Sequence, residues 1–113
     1  MGRGRLVVLE GVDGAGTSTQ SALLAEALRR RGYATHLTRE PSDGPVGVLI
    51  RQILAGRVVV PGRTGPRGPR METMALLFAA DRVDHLEAEV LPNLRDGVTV
   101  VSDRYVHSSI AYQ

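Results

Sequence analysis

Gly11-Val12-Asp13-Gly14-Ala15-Gly16-Thr17-Ser18-Thr19 is the stretch on which the fold turns. Gly11, Gly16 and Ser18 meet the spacing G-x-x-x-x-G-K-[ST], while Thr17 stands where that pattern has lysine. The flanks agree with a strand–loop–helix unit. Leu6-Val7-Val8-Leu9 is a short apolar run of strand type, and Gln20 to Arg31 reads as a helix. Glycines let backbone N–H groups turn inward around phosphate oxygens, and the helix N-terminus that follows adds partial positive charge. On this reading Gly11, Val12, Asp13, Gly14, Ala15, Gly16, Thr17, Ser18 and Thr19 wrap nucleotide phosphates, and the Ser18 hydroxyl is placed to bind Mg²⁺. The plainer alternative is a glycine-rich turn between strand and helix.

Thr17 removes a cation that would stabilise charge on a transferred phosphoryl group, and one lost electrostatic donor costs about 10²–10³ in rate. Three explanations stand: another arginine supplies the charge, the chain binds nucleotide without turning it over, or the threonine hydroxyl donates to the phosphate. Asp13 is also unusual, because a carboxylate facing phosphates carries a Coulombic cost. It orients a substrate hydroxyl or an arginine, or it simply forms an Asx turn.

The bulk composition narrows the class. A chain of 113 residues with 42% hydrophobic content has the size and core of one domain. There is no cysteine, so no disulfide framework or thiolate metal site exists; a cytoplasmic location is expected. No apolar run reaches the roughly 18 residues of a membrane span, and no signal peptide is evident. All 14 basic residues are arginine, the net charge is only +2, and the aromatics are three Tyr and one Phe. Scattered arginines with so few stacking rings argue against nucleic acid as a partner.

Along the chain, strand one is expected over Arg5–Glu10 and a helix over Thr17–Arg31, with Arg29-Arg30-Arg31 suiting the dipole of its last turn. A second strand is expected over Tyr33–Thr38, ending at Arg39-Glu40-Pro41, and a short helix over Val46–Leu54. Arg57–Arg70, rich in Arg, Gly and Pro, reads as a mobile surface connection. A long helix is expected over Glu72–Leu94, with Pro92 marking a kink or break. A third strand follows over Val98–Ser102, and Val106–Gln113 is a candidate for the start of a further helix. The order βαβααβα predicts an α/β fold with a parallel sheet. In such sheets ligands gather at the carboxyl ends of strands, where the phosphate loop, Arg39-Glu40 and Asp103-Arg104 would meet.

Five segments carry a resemblance to the thymidylate kinase family of P-loop kinases. They are Glu10–Gly16, Thr38-Arg39-Glu40-Pro41, Ile50-Arg51 with Ile53-Leu54, Leu76–Arg82 with His85, and Asp103–Gln113. The resemblance runs from about residue 5 to the last residue and implies a single P-loop nucleotide kinase domain over residues 1–113. It implies phosphorylation of dTMP to dTDP, with ATP as co-substrate and Mg²⁺. Asp13 would hold the sugar 3′-hydroxyl and help place arginines, with Asp13 and Arg104 as the catalytic pair. Phe78 would stack on thymine and Arg82 would bind the base edge. Arg51 and Arg104 would bind the dTMP phosphate, and Glu40 would line the same pocket. Ser108, Ser109, Tyr112 and Gln113 would close around base and sugar, and Asp103 would reach the metal, held also by Ser18, through water. A stacking ring with a few polar groups suits a flat pyrimidine, and arginine forks suit phosphate. Without the resemblance, Phe78 among Leu76, Leu77 and Ala79 reads as core, Asp81 and Arg82 as a solvated helix face, and Tyr105 and Tyr112 as packing residues. His85 and His107 read as structural either way.

Two departures qualify the match. Thr17 replaces the loop lysine, and family members continue beyond the position of Gln113 into a mobile lid, a last strand and helices that hold adenine. Gly14 in the loop resembles the subgroup that keeps a catalytic arginine in that lid. The expectation is a domain cut short before the lid, with most of a dTMP site, half of an ATP site and weak turnover. Two other readings stay open: a non-catalytic nucleotide-binding module, and a related P-loop kinase for another nucleotide. The family forms homodimers through helices beside the sheet, so the Glu72–Leu91 helix is a candidate homodimer surface, although its apolar face serves equally as core.

Overall fold

A computed structural model describes residues 4–11 and 16–105 of the chain. Three strands form one parallel sheet: β1 (Leu6–Gly11), β2 (Thr35–Glu40) and β3 (Thr99–Tyr105), in the order β1-β3-β2. The strand last in sequence therefore lies in the centre. Its Val100 and Val101 are fully buried, as a β-branched run in a sheet covered on both faces requires.

Helix α1 (Thr17–Arg30) follows β1, and α2 (Pro45–Leu54) and α3 (Met71–His85) follow β2. A π-helical stretch, Leu86–Val90, then leads into α4 (Leu91–Arg95). Successive strand side chains point to opposite faces. Asp103 meets Ser18 of α1, while its neighbour Arg104 meets Glu40, which α3 holds through His85. The helices α1 and α3 thus cover opposite faces, and Ala25, Ile50, Met74 and Val90 are buried apolar residues of the helical layers.

Several boundaries differ from the sequence expectation. The second strand begins at Thr35 rather than Tyr33, and the third extends to Tyr105, because the ends of β1 and β2 supply partners for Asp103 and Arg104 and β1 also for Tyr105. The helical run expected over Glu72–Leu94 is interrupted before Pro92 rather than at it. Proline lacks an N–H and its ring crowds the carbonyl one turn back. The preceding turn widens, with Leu91 N–H donating to the Leu86 carbonyl, and Pro92 then sits in the first turn of α4. Within Arg57–Arg70, Val60 and Arg67 form an antiparallel bridge with N···O distances of 2.7 and 2.9 Å. The helix considered for Val106–Gln113 lies outside the described residues.

Candidate active site

The site is built where the three parallel strands end. At the two ends of the glycine-rich segment, Gly11 closes β1 and Gly16 caps α1 at φ 75°, a left-handed conformation that glycine adopts without strain. Thr17, Ser18 and Thr19 form the first turn of α1. Ser18 Oγ donates to Asp103 Oδ2 at 2.6 Å, whereas Asp103 Oδ1 is buried without a hydrogen-bond partner among the described residues. Val12, Asp13, Gly14 and Ala15 lie outside the described residues, as do Ser108, Ser109, Tyr112 and Gln113.

Glu10, Arg104 and Glu40 occupy one row across the sheet, since Arg104 of the central strand is in register with both. Its guanidinium spans the row: Nη1 donates to Glu10 at 2.8 Å and Nε to Glu40 Oε1 at 3.1 Å. Arg82, on α3, sends its Nε to the same Glu40 oxygen at 3.4 Å. Both arginines therefore use Nε on Glu40, and Arg82 keeps its Nη groups, and Arg104 its Nη2, without a protein partner among the described residues. Glu40 Oε2 faces His85 Nδ1 at 2.8 Å, and His85 Nε2 lies 2.8 Å from Thr38 Oγ1. An ionised carboxylate only accepts hydrogen bonds, so Nδ1 carries the proton toward Glu40.

Charge in this cluster is tightly coupled. Burial works to raise the Glu40 pKa, but the His85 hydrogen bond and the positive charges of Arg104, His85 and Arg82 outweigh it and hold the carboxyl below its ordinary value. Burial likewise opposes protonation of His85. Its hydrogen bond to Glu40 and the charges of Glu40 and Glu89 prevail, so His85 is raised above its ordinary value. Glu89 is lowered despite burial, by hydrogen bonds with Thr38 and His36 and by the two histidines' charge; His36 Nε2 lies 2.9 Å from its Oε2.

The chain turns at Glu40-Pro41-Ser42, and α3 holds that turn as well. Asp81, 1% exposed, accepts from Ser42 N at 2.8 Å and from Ser42 Oγ at 2.6 Å. This excludes a solvated face for Asp81, while the Arg82 side chain is about half exposed. From α2, Arg51 reaches the Pro41 carbonyl and Asp43. A cavity of about 430 Å³ opens beside the turn, lined by Ser18, Arg39, Glu40, Arg51 and Asp103 among others. The structure thus brings Ser18, Asp103, Glu40 and Arg51 to one cavity, and joins Arg82 and Arg104 to it through Glu40. Phe78 is partly buried on α3, one turn before Arg82.

A parallel sheet whose first strand is followed by a helix capped by Gly16, with the Ser18–Asp103 pair and an arginine cluster at the strand ends, defines the P-loop nucleotide kinase class of fold. The sequence pattern of thymidylate kinase matches residues 9–113. The chain belongs to the thymidylate kinase family. It is 47% identical over 111 residues to a "probable thymidylate kinase" of Pyrococcus horikoshii, covering 98% of this chain and 52% of that protein. It is 48% identical over 110 residues to the thymidylate kinase of Clavibacter sepedonicus, covering 97% of this chain and 48% of the relative. The crystal structure of thymidylate kinase from Ehrlichia chaffeensis superposes with a TM-score of 0.73 at 30% identity, over 90% of this chain and 51% of that one. The chain spans about half the length of the curated relatives it matches.

Residues outside the sequence expectation complete the site. Asp81 and Ser42 anchor the turn, Glu10 shares Arg104, and Thr38 and Glu89 close the His85 network. The helical spacing of Phe78, Asp81, Arg82 and His85 was the available signal, since it places all four toward one side of α3.

Proposed function

We propose that the protein carrying this chain transfers the terminal phosphoryl group of ATP to dTMP, giving dTDP and ADP, as one P-loop kinase domain. The observation that carries the reading is the Glu10–Arg104–Glu40 row with Arg82 beside it. Carboxylates fix the Nε side of each guanidinium, so unpaired Nη groups are held ready for a phosphate and for the edge of a base. Arg51, on the cavity wall, joins Arg104 on the dTMP phosphate; Phe78 stacks on the base and Arg82 reads its edge. Asp13 takes the sugar hydroxyl, and Ser108, Ser109, Tyr112 and Gln113 close over the nucleoside.

Magnesium fits the other half of the cavity. Asp103 Oδ1 is buried with no partner among the described residues, beside the Ser18 hydroxyl. Among the described residues no group of three or more His, Cys, Asp or Glu forms a dedicated cage. That is the sparse protein donor set of an ion that keeps waters and takes substrate phosphates. Ser18 would hold the ion directly and Asp103 through water. When bound, the ion neutralises charge on the ATP phosphates.

Thr17 favours a second reading, nucleotide binding without turnover, because the loop lysine's charge is missing. A coupled ADP-release assay with Mg·ATP separates the two. Turnover with dTMP exceeding that with dUMP, dCMP or thymidine is expected; dTMP binding with no ADP release would leave only the second reading. No helix among the described residues is long and apolar enough to cross a membrane, which accords with a cytoplasmic enzyme. Leu76 and Val83, exposed seven residues apart on α3, support a homodimer surface there.

A further inference from the structure

We infer that His85 is a positioning residue for the nucleotide monophosphate site: by holding Glu40 Oε2 with its Nδ1–H, it turns Glu40 Oε1 to the Nε groups of Arg82 and Arg104. The inference rests on the proposed function for its reference to substrate, but the geometry is independent of it. Glu40 is 6% exposed and His85 2% exposed, so their hydrogen bond is shielded from water. A carboxylate has two oxygens, and their uses here are segregated. Oε2 is taken by His85 at 2.8 Å; Oε1 alone serves Arg104 at 3.1 Å and Arg82 at 3.4 Å. Rotation of the carboxylate about its last bond would move Oε1 off both Nε groups at once. His85 opposes that rotation.

The histidine is itself fixed from behind. Its Nε2 meets Thr38 Oγ1 at 2.8 Å and lies 3.4 Å from Glu89 Oε2. Glu89 in turn is held by His36. A buried ring with both nitrogens engaged has one orientation, so the order imposed on Glu40 starts in the wall behind the site. His85 touches neither Arg82 nor Arg104 through any hydrogen bond among the described residues. Its effect on substrate runs entirely through Glu40. Loss of one hydrogen bond to a charged group weakens binding on the order of 10- to 100-fold, which sets the scale of the effect.

The test compares His85→Asn, whose amide N–H falls near the position of Nδ1, with His85→Leu, which leaves Glu40 without that donor. Nitrogen-detected NMR of arginine Nε–H groups reads the geometry without substrate. In the native protein the Arg82 and Arg104 Nε–H signals are expected to exchange slowly. H85L should lose that protection and H85N should keep it. Asp81→Asn, which loosens the neighbouring turn without touching Glu40, should also keep it. Protection retained in H85L, or lost equally in D81N, would overturn the inference. Titration with dTMP should show affinity falling on the order of 10- to 100-fold in H85L and recovering in H85N, with Mg·ATP affinity unchanged. If the native protein binds no dTMP, the proposed function fails, and the Nε–H signals still decide the role of His85. Should H85L not fold, His85→Gln takes its place, its amide reaching toward Thr38 rather than Glu40. Protection in H85Q equal to that in H85N would then overturn the inference.

Discussion

Ser18 Oγ and Asp103 Oδ2, 85 residues apart in the chain, meet at 2.6 Å and tie the first turn of α1 to the end of β3. Asp103→Asn keeps an oxygen for the serine but loses the carboxylate charge. In the proposed site the Mg²⁺ concentration for half-maximal ATP binding should rise about 10–100-fold. Stability in urea should change little. A magnesium titration of ATP binding gives the answer, and an unaltered midpoint would remove Asp103 from the metal's surroundings.

Thr17→Lys restores the cation of the phosphate loop at the start of α1. If the missing charge limits phosphoryl transfer, the ADP-release rate should increase on the order of 100-fold, the scale of one electrostatic donor. Steady-state kinetics at saturating dTMP provide the measurement. A rate no higher than that of the native chain would mean that another group already supplies the charge.

The His85 cluster makes stability depend on pH in a defined direction. His85, raised in the folded state, contributes fully below its ordinary 6.5, and the contribution is lost as pH rises through the higher folded value. Glu40 and Glu89, lowered in the folded state, contribute above their ordinary 4.5 and lose that contribution as pH falls through the lower folded values. Glu40 and Thr38 face the ring from β2 and Glu89 from the π-helical stretch, with Arg82, Arg104 and His36 sharing those carboxylates. The cluster is therefore most stabilising between 4.5 and 6.5. Urea midpoints measured across about pH 5 to 9 should decline on the alkaline side, and His85→Asn should flatten that decline. A parallel decline in both proteins would show that other groups cause it.

Gly47→Ala tests the packing of α2 on the turn. A Cβ at Gly47 would collide with the backbone carbonyl of Ser42, the residue that Asp81 anchors. The expected destabilisation is about 1–3 kcal/mol. If Arg51 holds the dTMP phosphate as proposed, dTMP affinity should fall too, because Arg51 lies on the same helix. Calorimetric unfolding alongside a dTMP titration checks both effects.

The first strand, the helix after it and the parallel sheet were legible from local pattern and element order, and the approach of Ser18 to Asp103 from topology, because both lie at the carboxyl ends of parallel strands. The convergence of Glu40 and Arg104 was likewise legible from topology, whereas Arg51 and Arg82 were singled out through family resemblance, not through periodicity. Asp81 shows the limit. A carboxylate on a helix reads as solvated until the Ser42 N–H and hydroxyl are seen to face it, and those lie 39 residues away. Glu10 was hidden for a related reason: its pairing with Arg104 follows from strand register, which no single strand specifies. The widened turn before Pro92 was misjudged because proline's effect falls on the residues ahead of it.

The strand order has a consequence for how the chain comes into being. β1 and β2 do not pair with each other; each pairs with β3. During synthesis, a nascent chain that has reached Val98 holds two strands with no ladder between them. Only when Thr99 to Tyr105 emerge does the central strand slot in and join both. Such long-range pairing slows folding and keeps two hydrogen-bonding edges open until β3 has emerged. Stalling before β3 should yield a species prone to aggregate, whereas emergence of β3 lets all three strands assemble together.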